Sequence, residues 1–389
     1  MVGLLQRSND QQGEIRLSLL TRLLARFPAT IAGPMANVDP AALQAQIDKT
    51  INDAMVAAGL SPKSALSLPG AEKASGFRKT GLEGLPQSRG AAEPAPLPGS
   101  FSEHTFAHAA GKRRYKLYVP AAYTAGPSTP CPLLLMLHGC TQSPDDFATG
   151  TRMNELAEQH GFLVVYPAQS ANANRSRCWN WFRPADQARG HGEPALLAAL
   201  TKDVVRAFSV DPERVYVAGL SAGAAMAVIL GATYPDVFAA VGSHSGLPYR
   251  AAHDVATAFA AMGGGQGGLD AVDGAQTRGS DSVTPIIVFQ GGADSTVAPS
   301  NADALVWQSV GANPSLSQQT SEGQSTGRGY TRTVYSTSQG EPRVEFWQIH
   351  GAGHAWSGGS AGGSYADPQG PDASAEMVRF FLGVSNLLS

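Results

Sequence analysis

The chain has 389 residues and three cysteines, Cys131, Cys140 and Cys178. That is too few for a disulfide-stapled scaffold. One pair can form and leave one thiol over. A Cys140–Cys178 bridge is one such pairing, and spacing alone does not select it. No apolar run is long enough to span a bilayer. Neither sign of charge dominates, with 28 Lys and Arg against 31 Asp and Glu. There is thus no basic field for nucleic acid and no acidic solvating tail. Residues 1–34 lack the basic start, apolar core and small-residue cleavage site of a signal peptide, so a cytoplasmic location is the expectation from this segment. No internal repeat stands out. No H-E-x-x-H and no paired-cysteine spacing is present, so a metal set drawn from His138, His350, His354 and Asp294 has no motif behind it.

What is present is enough apolar sequence for a core, 43% of residues, and one stretch around which the chain is organised. Val215–Ala218 is a β-branched and aromatic run that predicts a buried strand. Ala222–Tyr234, rich in Ala, Met, Ile and Leu, predicts a helix. Between them lies Gly219-Leu-Ser221-Ala-Gly223, the G-x-S-x-G pattern of a nucleophile elbow. A serine at a sharp strand-to-helix turn has strained backbone angles, so residues two positions away must be small. The turn sets the Ser221 hydroxyl over a helix N-terminus, whose free N–H groups suit a developing oxyanion. Without that context the pentapeptide is an ordinary glycine-flanked turn.

Along the chain, Glu14–Phe27 and a second segment from Asp39 to Gly59 carry helical apolar stripes. They read as a docked amphipathic segment, residues 1–60, or else as a surface anchor. Residues 61–100, rich in Pro, Gly and Ala, read as a linker. A catalytic domain is expected over 101–389. It opens with an antiparallel pair, His104–Ala109 with Arg113–Val119. Wholly apolar strands follow at 132–137, 162–166, 215–218, 238–242 and 285–289, and further strands at 332–336 and 344–349. Helices between them imply an α/β fold with a mostly parallel central sheet. The stretches 263–282 and 312–329 read as irregular, either loops over the site or surface insertions.

A serine nucleophile needs a base and the base an orienting acid, in the chain order Ser, Asp or Glu, His. Asp294 follows the strand ending at Phe289, where sites form at strand carboxyl ends; Asp281 and Asp303 are worse placed. His354 lies beyond the strand ending near Ile349, on a glycine-flanked loop, whereas His350 sits at the strand end itself. One oxyanion donor should be the Ala222 N–H. The other should come from the loop after 133–137, which assigns the Cys140 N–H, with the His138 side chain supporting that loop. A nucleophilic Cys140 thiol lacks a paired histidine and a helix N-terminus. Trp179, Trp181 and Trp356 are candidates for lining an apolar acyl cleft, or for packing in the core.

Taken together, Leu137-His-Gly-Cys-Thr-Gln142, Cys178-Trp-Asn-Trp-Phe182, the elbow and His350-Gly-Ala-Gly-His-Ala-Trp356 resemble the poly(3-hydroxybutyrate) depolymerase family of esterases, which is close to feruloyl and acetylxylan esterases. The resemblance covers about Phe101 to Leu382. It implies an α/β-hydrolase fold, a Ser221-Asp294-His354 triad with the Cys140 amide as oxyanion donor, and ester hydrolysis without cofactor. The implied substrate is a polyester, an oligomer or a plant cell-wall ester, and many members are secreted, an alternative to the location above. A different class of reading is a polymer-granule surface protein with secondary esterase activity. No nucleic-acid partner is expected.

Overall fold

The computed structural model of the protein describes residues 96–124, 130–265, 284–311 and 315–385. The expected helices near the N-terminus, most of the linker, and 266–282 lie outside the described residues.

In chain order the elements are β1 (Ser100–His108), β2 (Gly111–Val119), β3 (Cys131–Leu137), α1 (Pro144–Thr151), α2 (Met153–His160), β4 (Leu163–Pro167), α3 (Gly192–Ala207), β5 (Val210–Leu220), α4 (Ala222–Thr233), β6 (Ala240–His244), α5 (Val255–Met262), β7 (Ile286–Gly291), α6 (Ser300–Gly311), β8 (Ser317–Gln324), β9 (Gly329–Ser336), β10 (Pro342–Ile349), the two-residue strands β11 (Trp356–Ser357) and β12 (Ala366–Asp367), and α7 (Ala373–Ser385). Ten strands form one sheet in the order β1-β2-β4-β3-β5-β6-β7-β10-β9-β8. From β4 to β10 every neighbouring pair is parallel. The pairs at the two ends, β1-β2-β4 and β10-β9-β8, are antiparallel. The chain steps to one side from β3 to β4 and then returns past β3 to β5 on its other side. That reversal opens a crevice at the strand carboxyl ends.

The parallel strands read as unbroken apolar runs because both of their faces are covered. Along β3, Leu133, Leu135 and Leu137 enter one core, shared with Leu197 of α3 and Met226 of α4. Leu134 and Met136 enter the opposite one, shared with Phe147 of α1 and Met377 and Phe381 of α7. The period of two along a strand sorts neighbouring residues into different layers. Helix α4 is apolar on every face, and nearly all of it is buried.

One expected loop is instead a strand. Residues 317–324 pair with β9 in full register as the outermost strand of the sheet. The sequence SQQTSEGQ is almost wholly exposed, so it has no buried face to imprint an apolar alternation. Its backbone ladder alone makes it a strand. Polar side chains along such an edge also discourage pairing with another chain.

The glycines of the elbow are required by contact. A Cβ on Gly219 would stand 2.5 Å from the Gly223 carbonyl carbon and 2.6 Å from Leu137 O. One on Gly223 would stand 2.6 Å from His138 O and closer still to Leu137 O. All of these are backbone atoms that cannot swing aside. Gly223→Ala should therefore cost more than about 3 kcal/mol of folding stability, the upper range for overpacking. Gly383→Ala, on α7 with nothing near the added methyl, should gain about 0.5–1 kcal/mol. Chemical denaturation of the two variants checks both; equal effects would contradict the contact argument.

Candidate active site

Four strand ends supply the site: β3 leads into the 138–142 loop, β5 into Ser221, β7 into Asp294 and β10 into His354. Ser221 has φ +57° and ψ −120°, a region costly for any residue with a side chain. Its N–H donates to His244 O at 2.9 Å, and its carbonyl accepts the Ala225 N–H at 2.9 Å. The strained turn is thus pinned from β6 on one side and by the first turn of α4 on the other.

Asp294 and His354, sixty residues apart, meet through Asp294 Oδ2 and His354 Nδ1 at 2.7 Å. Both are buried. Asp294 Oδ1 accepts the backbone N–H groups of Thr296 and Val297, both at 2.9 Å, and Gln290 Nε2 donates to Oδ2 at 3.2 Å. Burial by itself would raise the carboxyl pKa; His354 and these donors outweigh it and hold Asp294 below the usual carboxylate range. A carboxylate fixed in this way keeps the proton of a neutral imidazole on Nδ1 and leaves Nε2 free as a base. His350 instead is exposed, with its Nε2 2.9 Å from Thr331 Oγ1.

The loop after β3 is a tight turn in which Gln142 N–H donates to Gly139 O at 3.4 Å. Thr141 takes φ +67°, left-handed backbone that costs a β-branched residue about 1–2 kcal/mol. Several contacts offset that strain. Thr141 N–H donates to Ser176 O at 2.7 Å, Gln142 Oε1 accepts the Gly139 N–H at 2.8 Å, and a Cys140–Cys178 disulfide ties the loop to the 176–180 segment. The bridge takes the Cys140 thiol out of any covalent role. Cys131 remains a free, buried thiol. Among the described residues, neither the Cys140 N–H nor the Ala222 N–H donates to a protein acceptor. Ala222, which is buried, is the first residue of α4, where the N–H has no intrahelical acceptor.

Two further histidines shape the site. His138 Nε2 accepts the Gln169 N–H at 3.0 Å, while Nδ1 lies 2.7 Å from Gly139 O. His244 Nε2 accepts the Ser357 N–H at 3.0 Å, while Nδ1 lies 3.2 Å from Ser245 Oγ. Each ring is satisfied as a neutral tautomer with its proton on Nδ1. A second proton would face an N–H donor. Burial lowers the His138 pKa to about 4. Burial, together with the nearby His354, lowers that of His244 to about 3. The role of His244 was not legible in the sequence; its position at the carboxyl end of an apolar strand was the one available signal.

Of the two readings of the tryptophans, burial favours packing in the core. Trp179 and Trp356 do not reach solvent, at 0% and 1% exposure. Their indole N–H groups are used internally, by His138 O at 3.1 Å and by Ser374 Oγ at 3.0 Å. Trp356 stacks on His244. Trp181 is also largely buried, with its edge against Phe182. Among the described residues, no three His, Cys, Asp or Glu side chains converge as a metal set would. No helix among them is long and apolar enough to cross a membrane.

A parallel sheet with a serine elbow after β5, an acid after β7 and a histidine after the last parallel strand defines an α/β-hydrolase. A family model described as Esterase PHB depolymerase matches residues 113–328. That is more than half of the chain, and the chain belongs to this family of esterases. Among curated relatives, it is 38% identical over 243 residues to a poly(3-hydroxyalkanoate) depolymerase C of Paucimonas lemoignei, covering 61% of this chain and 57% of that one. It is 31% identical over 264 residues to a poly(3-hydroxybutyrate) depolymerase of Ralstonia pickettii, covering 63% of this chain and 52% of that one. The chain thus spans little more than half the length of these relatives. An acetyl xylan esterase from Aspergillus awamori superposes with a TM-score of 0.57 at 19% identity, over 73% of this chain and 100% of the other; this likeness concerns the fold.

The locked histidines generate a pH prediction. Their folded pKa lies below the unfolded value of about 6.5. Between these limits the unfolded chain binds more protons, so stability falls as pH falls. Each contributes about 1.4 kcal/mol per pH unit across that window. Glu193 and Asp186, raised by burial, run in the opposite sense, so the comparison is between variants. His138→Gln should flatten the fall of unfolding free energy between pH 6 and about 4.5 relative to wild type, by about that slope. Parallel curves would show that His138 is protonated in the fold.

Proposed function

We propose that the protein is a serine carboxylic ester hydrolase acting on hydroxyalkanoate esters, of poly- or oligo-3-hydroxybutyrate type, through an acyl-enzyme. The observation that carries this reading is the buried Asp294–His354 pair, positioned in the same sheet crevice as the strained Ser221. The names of the relatives support the substrate class. We assign the activity to residues 101–389.

In this reading Ser221 Oγ attacks the ester carbonyl as His354 Nε2 takes its proton. Asp294 holds the imidazole tautomer and stabilises the imidazolium. The N–H groups of Ala222 and Cys140 bind the oxyanion. When the tetrahedral intermediate collapses, the C–O bond to the alcohol breaks and His354 returns the proton to the leaving alkoxide. Water, deprotonated by His354, then attacks the acyl-enzyme and restores Ser221.

Ser221→Ala should abolish turnover and fluorophosphonate labelling while the protein stays folded, with a loss on the order of 10⁶-fold. Asp294→Asn should lose on the order of 10⁴-fold. His354→Ala should be comparably severe and His350→Ala mild; retention of a tenth of wild-type turnover in Ser221→Ala would end the assignment. Initial rates on 3-hydroxybutyrate oligomers, feruloyl esters and acetylated xylan decide the substrate. A clear preference for either cell-wall ester would replace the hydroxyalkanoate reading.

A further inference from the structure

Beneath the 138–142 loop lies a buried polar cluster with no motif of its own. Glu193, in the first turn of α3, is buried. Its Oε2 accepts the Asn180 N–H at 2.8 Å. Its Oε1 accepts Asn180 Nδ2 at 3.0 Å, Arg113 Nη2 at 3.5 Å and a short bond from Gln169 Nε2. The Glu193 N–H is itself held by Asp186 Oδ1 at 2.7 Å. Four donors thus converge on two oxygens. A carboxylate, which accepts only, satisfies all of them; an amide would turn an N–H₂ toward other donors.

What these donors hold is the support of the oxyanion loop. Asn180 lies two residues after Cys178, whose sulfur is bonded to Cys140. Gln169 Nε2 also donates to Cys178 O at 2.9 Å, and Gln169 N–H donates to His138 Nε2 at 3.0 Å. Trp179, between Cys178 and Asn180, donates to His138 O at 3.1 Å and lies under the Arg113 guanidinium, 5.5 Å from its ring centre. Three routes from the cluster therefore reach the 138–142 loop: the Cys178 disulfide, Gln169 to His138 Nε2, and Trp179 to His138 O.

We infer that Glu193 is a positioning residue for the oxyanion loop: its carboxylate fixes the Cys178–Asn180 segment and Gln169, and through them the disulfide-tethered Cys140 amide. The inference rests on the esterase reading for its catalytic consequence, but its structural content stands separately. Oxyanion donors act through placement, so a shift of the loop weakens transition-state binding more than substrate binding.

The test is Glu193→Gln, which keeps the volume and removes one acceptor, with Asn180→Ala as a milder companion that deletes a donor and leaves Glu193 intact. With p-nitrophenyl butyrate, Glu193→Gln should lower kcat on the order of tenfold, less than deletion of an oxyanion donor outright. KM should move by less than about threefold, the pattern of an interaction lost in the transition state. Dithiothreitol should reduce the Cys140–Cys178 bridge on the order of tenfold faster, because access governs exchange. Asn180→Ala should shift both readouts in the same direction. Combined with Cys178→Ser, the kcat loss from Glu193→Gln should be smaller than in the wild-type background, since the tether it acts through is gone. A variant that melts earlier yet keeps its kcat and its reduction rate would overturn the inference and leave Glu193 a structural residue. If the wild type neither turns over esters nor takes up fluorophosphonate, the esterase reading fails; an unchanged reduction rate in Glu193→Gln then still sinks the positioning role, and a faster one supports it.

Discussion

The site depends on backbones that meet with no side chain between them. The end of β3, the end of β5 and the first turn of α4 touch at Leu137, Gly219 and Gly223. That approach lets Ser221 adopt a positive φ on a turn too sharp for larger neighbours. It also brings the loop carrying Cys140 alongside the helix end carrying Ala222. The strain at Ser221 is local; the restraint on it is distributed, running through the His244 carbonyl into β6 and through the Ala225 N–H into α4.

Around this point the charge is asymmetric by design of the environment. One carboxylate, Asp294, is kept ionised by His354 and by three further N–H donors despite its burial. Two histidines, His138 and His244, are kept neutral because each must accept a backbone N–H. His354 is thus paired with one ionised carboxylate, and the nearby His244 ring is neutral. Of these three histidines, His354 alone is held by a carboxylate, whereas His138 and His244 each accept a backbone N–H.

The 138–142 loop is held differently. It contains a left-handed threonine, and its geometry comes from contacts with segments distant in sequence. The 176–180 segment reaches it through a disulfide, a backbone bond and an indole N–H. The region after His354 reaches it through Gln142 Nε2, which donates to Ser364 O and to Asp146 Oδ2, both at 3.0 Å. The two halves of the crevice are therefore joined by hydrogen bonds across the site, and the Glu193 cluster lies beneath one of them.

The sequence alone determined the elements whose signals are local. The elbow was readable because strand, glycines and helix are contiguous. Most parallel strands were readable because burial on both faces leaves an unbroken apolar run, and the positions of Asp294 and His354 because each lies on a glycine-rich loop just past a parallel strand. The strand β8 was not readable, since an exposed edge strand is specified by its partner's backbone and carries no apolar pattern. Nor were the cysteine pairing, the burial of Trp179 and Trp356, or the roles of His244, Gln142 and Glu193. Each of these depends on which groups arrive beside it from elsewhere in the chain. A polar residue's function lies in its partners, and partners separated by tens to hundreds of residues exist only once the sheet has closed over its two cores.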